Sequence, residues 1–159
     1  MTEDPRRLRW AVNGARTLLV PADAVDAALS ELDRTMRSAH FRLDPSATGA
    51  PRVYRRGSAM GDVLIGGSGL SVITSRLGPL SAKGVTVVHV DARDAWARII
   101  VSLVAGSHVG GEFVDAVGDA VRALVARGVP LDDQGWSRAV DVDRGLPAHP
   151  HRAAELGLT

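Results

Sequence analysis

His89 and Asp91 stand two residues apart in a β-branched run, so on a strand both side chains point to one side. A carboxylate in that position can orient an imidazole, which makes the pair the candidate catalytic residues, with His89 as general base. No nucleophile stands beside them in the sequence, and the plainer reading of His89 is a half-buried strand histidine. A second candidate is the turn Gly66-Gly67-Ser68-Gly69 after the apolar run Val63-Leu64-Ile65, where glycines would let backbone amides approach an anion. A dinucleotide-binding fingerprint requires Gly-x-Gly-x-x-Gly, and Val72 occupies the place of the third glycine after Gly67 and Gly69. A glycine-rich β-turn explains the same residues.

Arg6, Arg7 and Arg9 around Trp10, and Arg52, Arg55 and Arg56 around Tyr54, have the chemistry of phosphate and stacked-base contacts. The formal net charge is only +1, however, and acidic helix faces offset the arginines, which argues against a nucleic-acid partner. Trp10, Tyr54 and Trp136 are instead candidate interface residues. His149 and His151 with Asp141 and Asp143 sit in a polar C-terminal stretch where a metal would have to order its own site, so no metal site is expected. The chain has no cysteine, which excludes disulfides, thiolate metal sites and a cysteine nucleophile. Only one of its 19 basic residues is a lysine, Lys83, a skew that codon bias explains better than chemistry.

The elements that would carry these residues can be read from periodicity and punctuation. Asp-Ala-x-Asp-Ala occurs at residues 23–27 and again at 91–95, each time after a strand-type run. In each, the first Asp can cap a helix and the second places a negative charge near the positive end of the helix dipole. Each junction therefore predicts strand into helix. One helix is expected over 23–38, with Val25, Ala28, Leu29, Leu32 and Met36 on one stripe, and another over 92–105, ended by Gly106. The alternative for 92–105 is a strand paired with 85–90, which Ile99-Ile100-Val101 favours locally. A helix over 112–127 turns Phe113, Val114, Val117, Val121, Leu124 and Val125 inward and ends at Gly128 and Pro130, and a short one is expected over 150–156. Strands are expected at 7–12 and 15–20, joined by a type I′ turn at Asn13-Gly14, and at 40–43, 52–56, 70–76 and 85–90.

A chain of 159 residues buries roughly two thirds of its unfolded surface and needs no staple. The expectation is an α+β domain over 1–130 in two layers, a mainly antiparallel sheet of about five to six strands with two or three helices on one face, ferredoxin-like or related. Residues 131–159 read as a polar tail packed loosely on its surface, with Trp136 as its anchor. No stretch approaches the roughly 18 apolar residues of a membrane helix, and the charged start has no apolar segment behind it, so a cytoplasmic protein is expected.

Glu31-Leu32-Asp33-Arg34, then His40-Phe41-Arg42 and Asp44-Pro45-Ser46, then Val85-Thr86-Val87-Val88 with Asp94-Ala95, occur in an order that resembles the FAD:protein FMN transferase family. The resemblance implies a flavin transferase acting on proteins. That family would carry a metal-holding Thr near Arg98 and, upstream, a His-x-x-Asp-Pro segment and a Gly-Lys-Gly stretch, and this chain has none of them. No cofactor is therefore expected. The residues are best read as those of a noncatalytic binding or assembly module, associating with itself or with another protein. The alternative is a small-molecule enzyme using His89 and Asp91 near the Gly66 to Gly69 turn.

Overall fold

The computed structural model describes residues 13–47, 50–57 and 83–159. Among them the chain is α+β, with one antiparallel six-stranded sheet and three helices. In chain order these are β1 (Gly14–Pro21), α1 (Val25–Ser38), β2 (Arg42–Leu43), β3 (Arg52–Arg56), β4 (Gly84–Arg93), β5 (Trp96–Ala105), α2 (Gly110–Ala126), β6 (Asp132–Arg138) and α3 (Pro150–Glu155). The strand order is β2-β3-β4-β5-β1-β6. Because β5 lies between β1 and β4, and β1 between β5 and β6, the chain forms two interleaved split β-α-β units, one containing α1 and the other α2. β3 and β2 extend the sheet beyond β4.

α1 and α2 cover one face. Ala28, Leu29, Leu32 and Met36 of α1 and Phe113, Val117, Val121 and Leu124 of α2 bury the expected stripes against Leu18, Val20, Val88, Ile99, Val101 and Leu103. Val125, expected inward, is 60 % exposed. Each helix stops where its backbone can turn left-handed. His40 takes φ 64 after α1 and Gly128 takes φ 71 after α2, and the next residue's amide closes back onto the final turn of each helix. The Glu31 carboxylate joins the helices, accepting from Arg34 on α1 and from Arg127 just past α2, and the Arg34 hydrogen bond foremost holds it below the usual carboxylate range.

The second face is built differently. Val53, Val85, Val87, Ile100 and Val104 point there, and Ala148 and Ala153 of the C-terminal segment cover them. α3 therefore lies on the face opposite α1 and α2. The segment expected to wrap loosely also contributes β6, which pairs with β1 from Gly14↔Arg138 to Leu19↔Asp132.

Three local expectations are corrected. Residues 96–105 form a strand, and residues 92–93 end β4, because β5 is central and covered on both faces. Its odd positions, Ala97, Ile99, Val101 and Leu103, meet the helices, while Ile100 and Val104 meet the other cluster. A strand buried on both sides has a continuous apolar run, and such a run imitates a helical stripe. Asp91 therefore caps no helix; it lies in β4, and the loop of the β4–β5 hairpin is Asp94-Ala95, with Asp94 at φ 45. At the first junction α1 forms as expected, but its N-cap is Ala24 and no side chain caps it. Finally, Gly14 is already a residue of β1 without positive φ, so Asn13-Gly14 is not a type I′ turn; the expected 7–12 strand lies outside the described residues, and β5 and β6 occupy both edges of β1.

Candidate functional site

His89 and Asp91 do share the second face of the sheet, near its β4–β5 hairpin end. Asp91 stands opposite Arg98 of β5, and His89 stands opposite Ile100. The Asp91 carboxylate accepts from Arg98 Nη2 at 2.9 Å and from Arg93 Nε at 3.2 Å. Those bonds, Arg93's first, hold its pKa below the usual carboxylate range. The carboxylate is thus engaged by two guanidinium groups. Burial lowers the pKa of the half-buried His89 ring, against the pull of the Asp91 charge. Hydroxyls do occur on the same face: at Ser102 of β5, which stands opposite Val87, diagonal to His89, and is fully buried, and at Thr17 of β1, where Ile100 stands between it and His89 in the sheet. Two strand spacings separate them, about 10 Å, which is beyond the reach of proton transfer.

The more distinctive feature is what surrounds Asp91. Leu19, Asp91, Arg93, Trp96, Ala97 and Arg98 line a shallow hollow of about 200 Å³. The register explains the grouping, since Leu19 and Asp91 flank Arg98 from β1 and β4, and Arg93 faces Trp96 across the hairpin. Trp96 is 48 % exposed. An indole, an aliphatic side chain and paired charges form a contact surface in chemical terms. They supply no reacting group. Arg98 and Trp96 were concealed by the helical reading of 92–105; a period of two along Trp96, Arg98 and Ile100 is the signal that places them on one face.

The other candidates are dispersed. Trp10 and Gly66 to Gly69 lie outside the described residues. Tyr54 is fully buried on the helical side, its phenol pKa raised chiefly by burial, and it offers no surface to a partner. Trp136 is half-buried in β6, edge-on to Phe113 with ring centres 5.7 Å apart and with Arg16 stacked 5.1 Å above it. It docks within its own chain. The arginines of β3 diverge, Arg55 to Asp44 and Arg56 to Glu112. His149 accepts the backbone amide of His151, whose ring pairs with Glu155, and no metal-binding cluster occurs among the described residues. Compared with known families, with curated proteins and with solved structures, the chain matches none.

Proposed function

We propose that this protein is a noncatalytic binding and assembly module that self-associates through the hairpin end of the sheet's second face. The observation that carries the reading is Trp96, a large aromatic side chain 48 % exposed at the hairpin end of the sheet, where it pairs with Arg93 of β4 and Pro21 of β1. Tryptophan and arginine are the residues most often found at the energetic centre of protein contacts, and here Leu19 and Arg98 flank the indole. The same tip presents both signs of charge. Arg93, whose side chain is 77 % exposed, and the exposed Asp94 are neighbours, so a twofold arrangement sets the arginine of one copy against the aspartate of the other. A net charge of +1 opposes such pairing only weakly. The second copy is therefore the occupant this surface fits best.

The rival reading, a small-molecule enzyme built on His89 and Asp91, has in its favour the shared face of the two residues and the burial that lowers the His89 pKa. Against it stand the two arginines on Asp91, the distance to Thr17 and the complete burial of Ser102. Sedimentation velocity over a concentration series tests the proposal. Wild type should shift toward a dimer as concentration rises, and Trp96→Ala should remain monomeric with unchanged circular dichroism. A wild type that stays monomeric throughout, or a Trp96→Ala variant that dimerises as wild type does, would refute it.

A further inference from the structure

At the opposite end of the same strands, about 30 Å from the hairpin tip by strand rise, lies a larger cavity. Its volume is about 530 Å³, within the usual range for small-molecule sites, and its wall includes Arg55, Arg56, Lys83, Gly84, Gly106 and His108. Arg56 is only 8 % exposed, with its guanidinium carbon 5.8 Å from the centre of the Phe41 ring. Among the described residues its Nε and Nη1 have no hydrogen-bond acceptor. Among these residues its ion pair runs from Nη1 to Glu112 Oε1 at 3.3 Å, and the Glu112 side chain is half in solvent at 51 % exposure. A guanidinium withdrawn from water is costly unless its donors are satisfied, and a single half-hydrated carboxylate outside hydrogen-bonding geometry does not satisfy them.

Glu112 belongs to the first turn of α2, a helix of 17 residues entered through a 3₁₀ turn at Ser107–Val109, and its N-cap, Val109, supplies no side-chain bond to the first amides. The positive end of this helix and the buried Arg56 therefore converge beside the cavity. The link from β5 into α2 begins at Gly106, where a Cβ would lie 2.1 Å from the Lys83 carbonyl oxygen, so only glycine lets the two chain segments meet there.

We propose that this cavity binds a phosphate group, free or borne by a small soluble molecule, and that the phosphate exchanges with the Glu112 carboxylate on Arg56. Glu112 occupies the position as an internal monoanion. A phosphate dianion brings more charge and more acceptor oxygens to the same guanidinium and to the first-turn amides of α2, which favours the exchange. Arg55 contributes less, because Asp44 already accepts its Nε at 2.6 Å. The site is separate from the Trp96 surface and does not depend on self-association.

Inorganic phosphate titrated into the ¹⁵N-labelled full chain tests this, with ribose 5-phosphate as a second arm. Saturable shifts should be confined to the amides of Gly57, Gly84, Gly106 and Gly110 and absent from Trp96 and Arg98. Tighter binding of ribose 5-phosphate assigns the site to a phosphorylated molecule, and equal affinity assigns it to the free ion. Arg56→Gln should weaken binding by roughly tenfold or more. Glu112→Gln should strengthen it, because the competing carboxylate is gone. That second variant decides the matter even where Arg56→Gln fails to fold, since a Glu112 that only neutralises Arg56 gives no gain in phosphate affinity when removed. Shifts that do not saturate, equal binding by a folded Arg56→Gln, or unchanged or weaker binding by Glu112→Gln would overturn the assignment.

Discussion

The two faces of the sheet are made from the same strands and finished in opposite ways. On the helical face, large side chains from α1 and α2 close over Leu18, Val20, Ile99 and Leu103 along the strands. On the second face the cover is the C-terminal segment, with Ala148 and Ala153 fully buried and Val142, Leu146 and Leu158 partly buried beside them, and it protects the Val53, Val87 and Val104 region. Beyond it the same face carries His89, Asp91 and Arg98 and ends at an exposed Trp96. The contrast teaches a division of labour. One side of β5 supplies the larger core, and the other side combines a smaller, partly covered core with groups a partner can reach.

Substitutions on each face can sharpen that contrast or break it. The largest effect belongs to the helical side: Phe113→Ala removes a fully buried ring that also supports Trp136, and should cost about 3–5 kcal/mol in denaturant melts. A loss below about 1 kcal/mol would mean that this face is not the main core. Ser102, by contrast, is fully buried on the second face between Ile100 and Val104, and its hydroxyl has no hydrogen-bond partner. Ser102→Ala should therefore stabilise the protein, by about 1 kcal/mol.

Acid should act on the second face in two windows. Burial lowers the His89 pKa, so the folded protein favours the neutral ring; that contribution is complete above 6.5, the unfolded value, and is lost as pH falls below it. Nuclear magnetic resonance should place the His89 midpoint below 6.5, and His89→Gln should flatten the stability profile there. Asp44, bonded by Arg55 and then by Ser46, is held at about 2 instead of 3.8. Its stabilisation is complete above pH 3.8 and is lost as pH falls towards about 2, and Asp44→Asn should remove that part of the acid limb. The smallest expected change in stability is at Trp96. Trp96→Ala should alter monomer stability by no more than about 0.5 kcal/mol, because the side chain supports little of the fold.

The paired Asp-Ala-x-Asp-Ala segments show how far the chain could be read in advance. Residues 23–27 and 91–95 carry the same local signals, and the first does lead into α1. The second turns back as a hairpin because residues 96–105 must fill the centre of the sheet. Local propensity contains no information about how many faces of an element will be covered, and for β5 that global fact prevailed. The α+β class, α1, β3 and the end of α2 at Gly128 were legible, since each rests on periodicity or punctuation within its own segment. At the site, the shared face of His89 and Asp91 was legible from their spacing. Arg98 and Trp96 were not, because their placement depends on the β4–β5 register, and neither was the burial of Arg56, which depends on Phe41 and Glu112 meeting it from distant parts of the chain.

Self-association through the hairpin end of the second face is the central claim, and a spin-label experiment tests it directly because the chain has no cysteine of its own. Labels attached through Ala92→Cys, at an exposed position near the hairpin tip, should give a short and well-defined distance between copies. That signal should vanish on dilution with unlabelled protein and in the Trp96→Ala background. A label at Ser30→Cys, on the exposed side of α1, should report a longer separation. No dipolar coupling at either position at the highest soluble concentration, or a short distance at position 30 and none at position 92, would contradict the account.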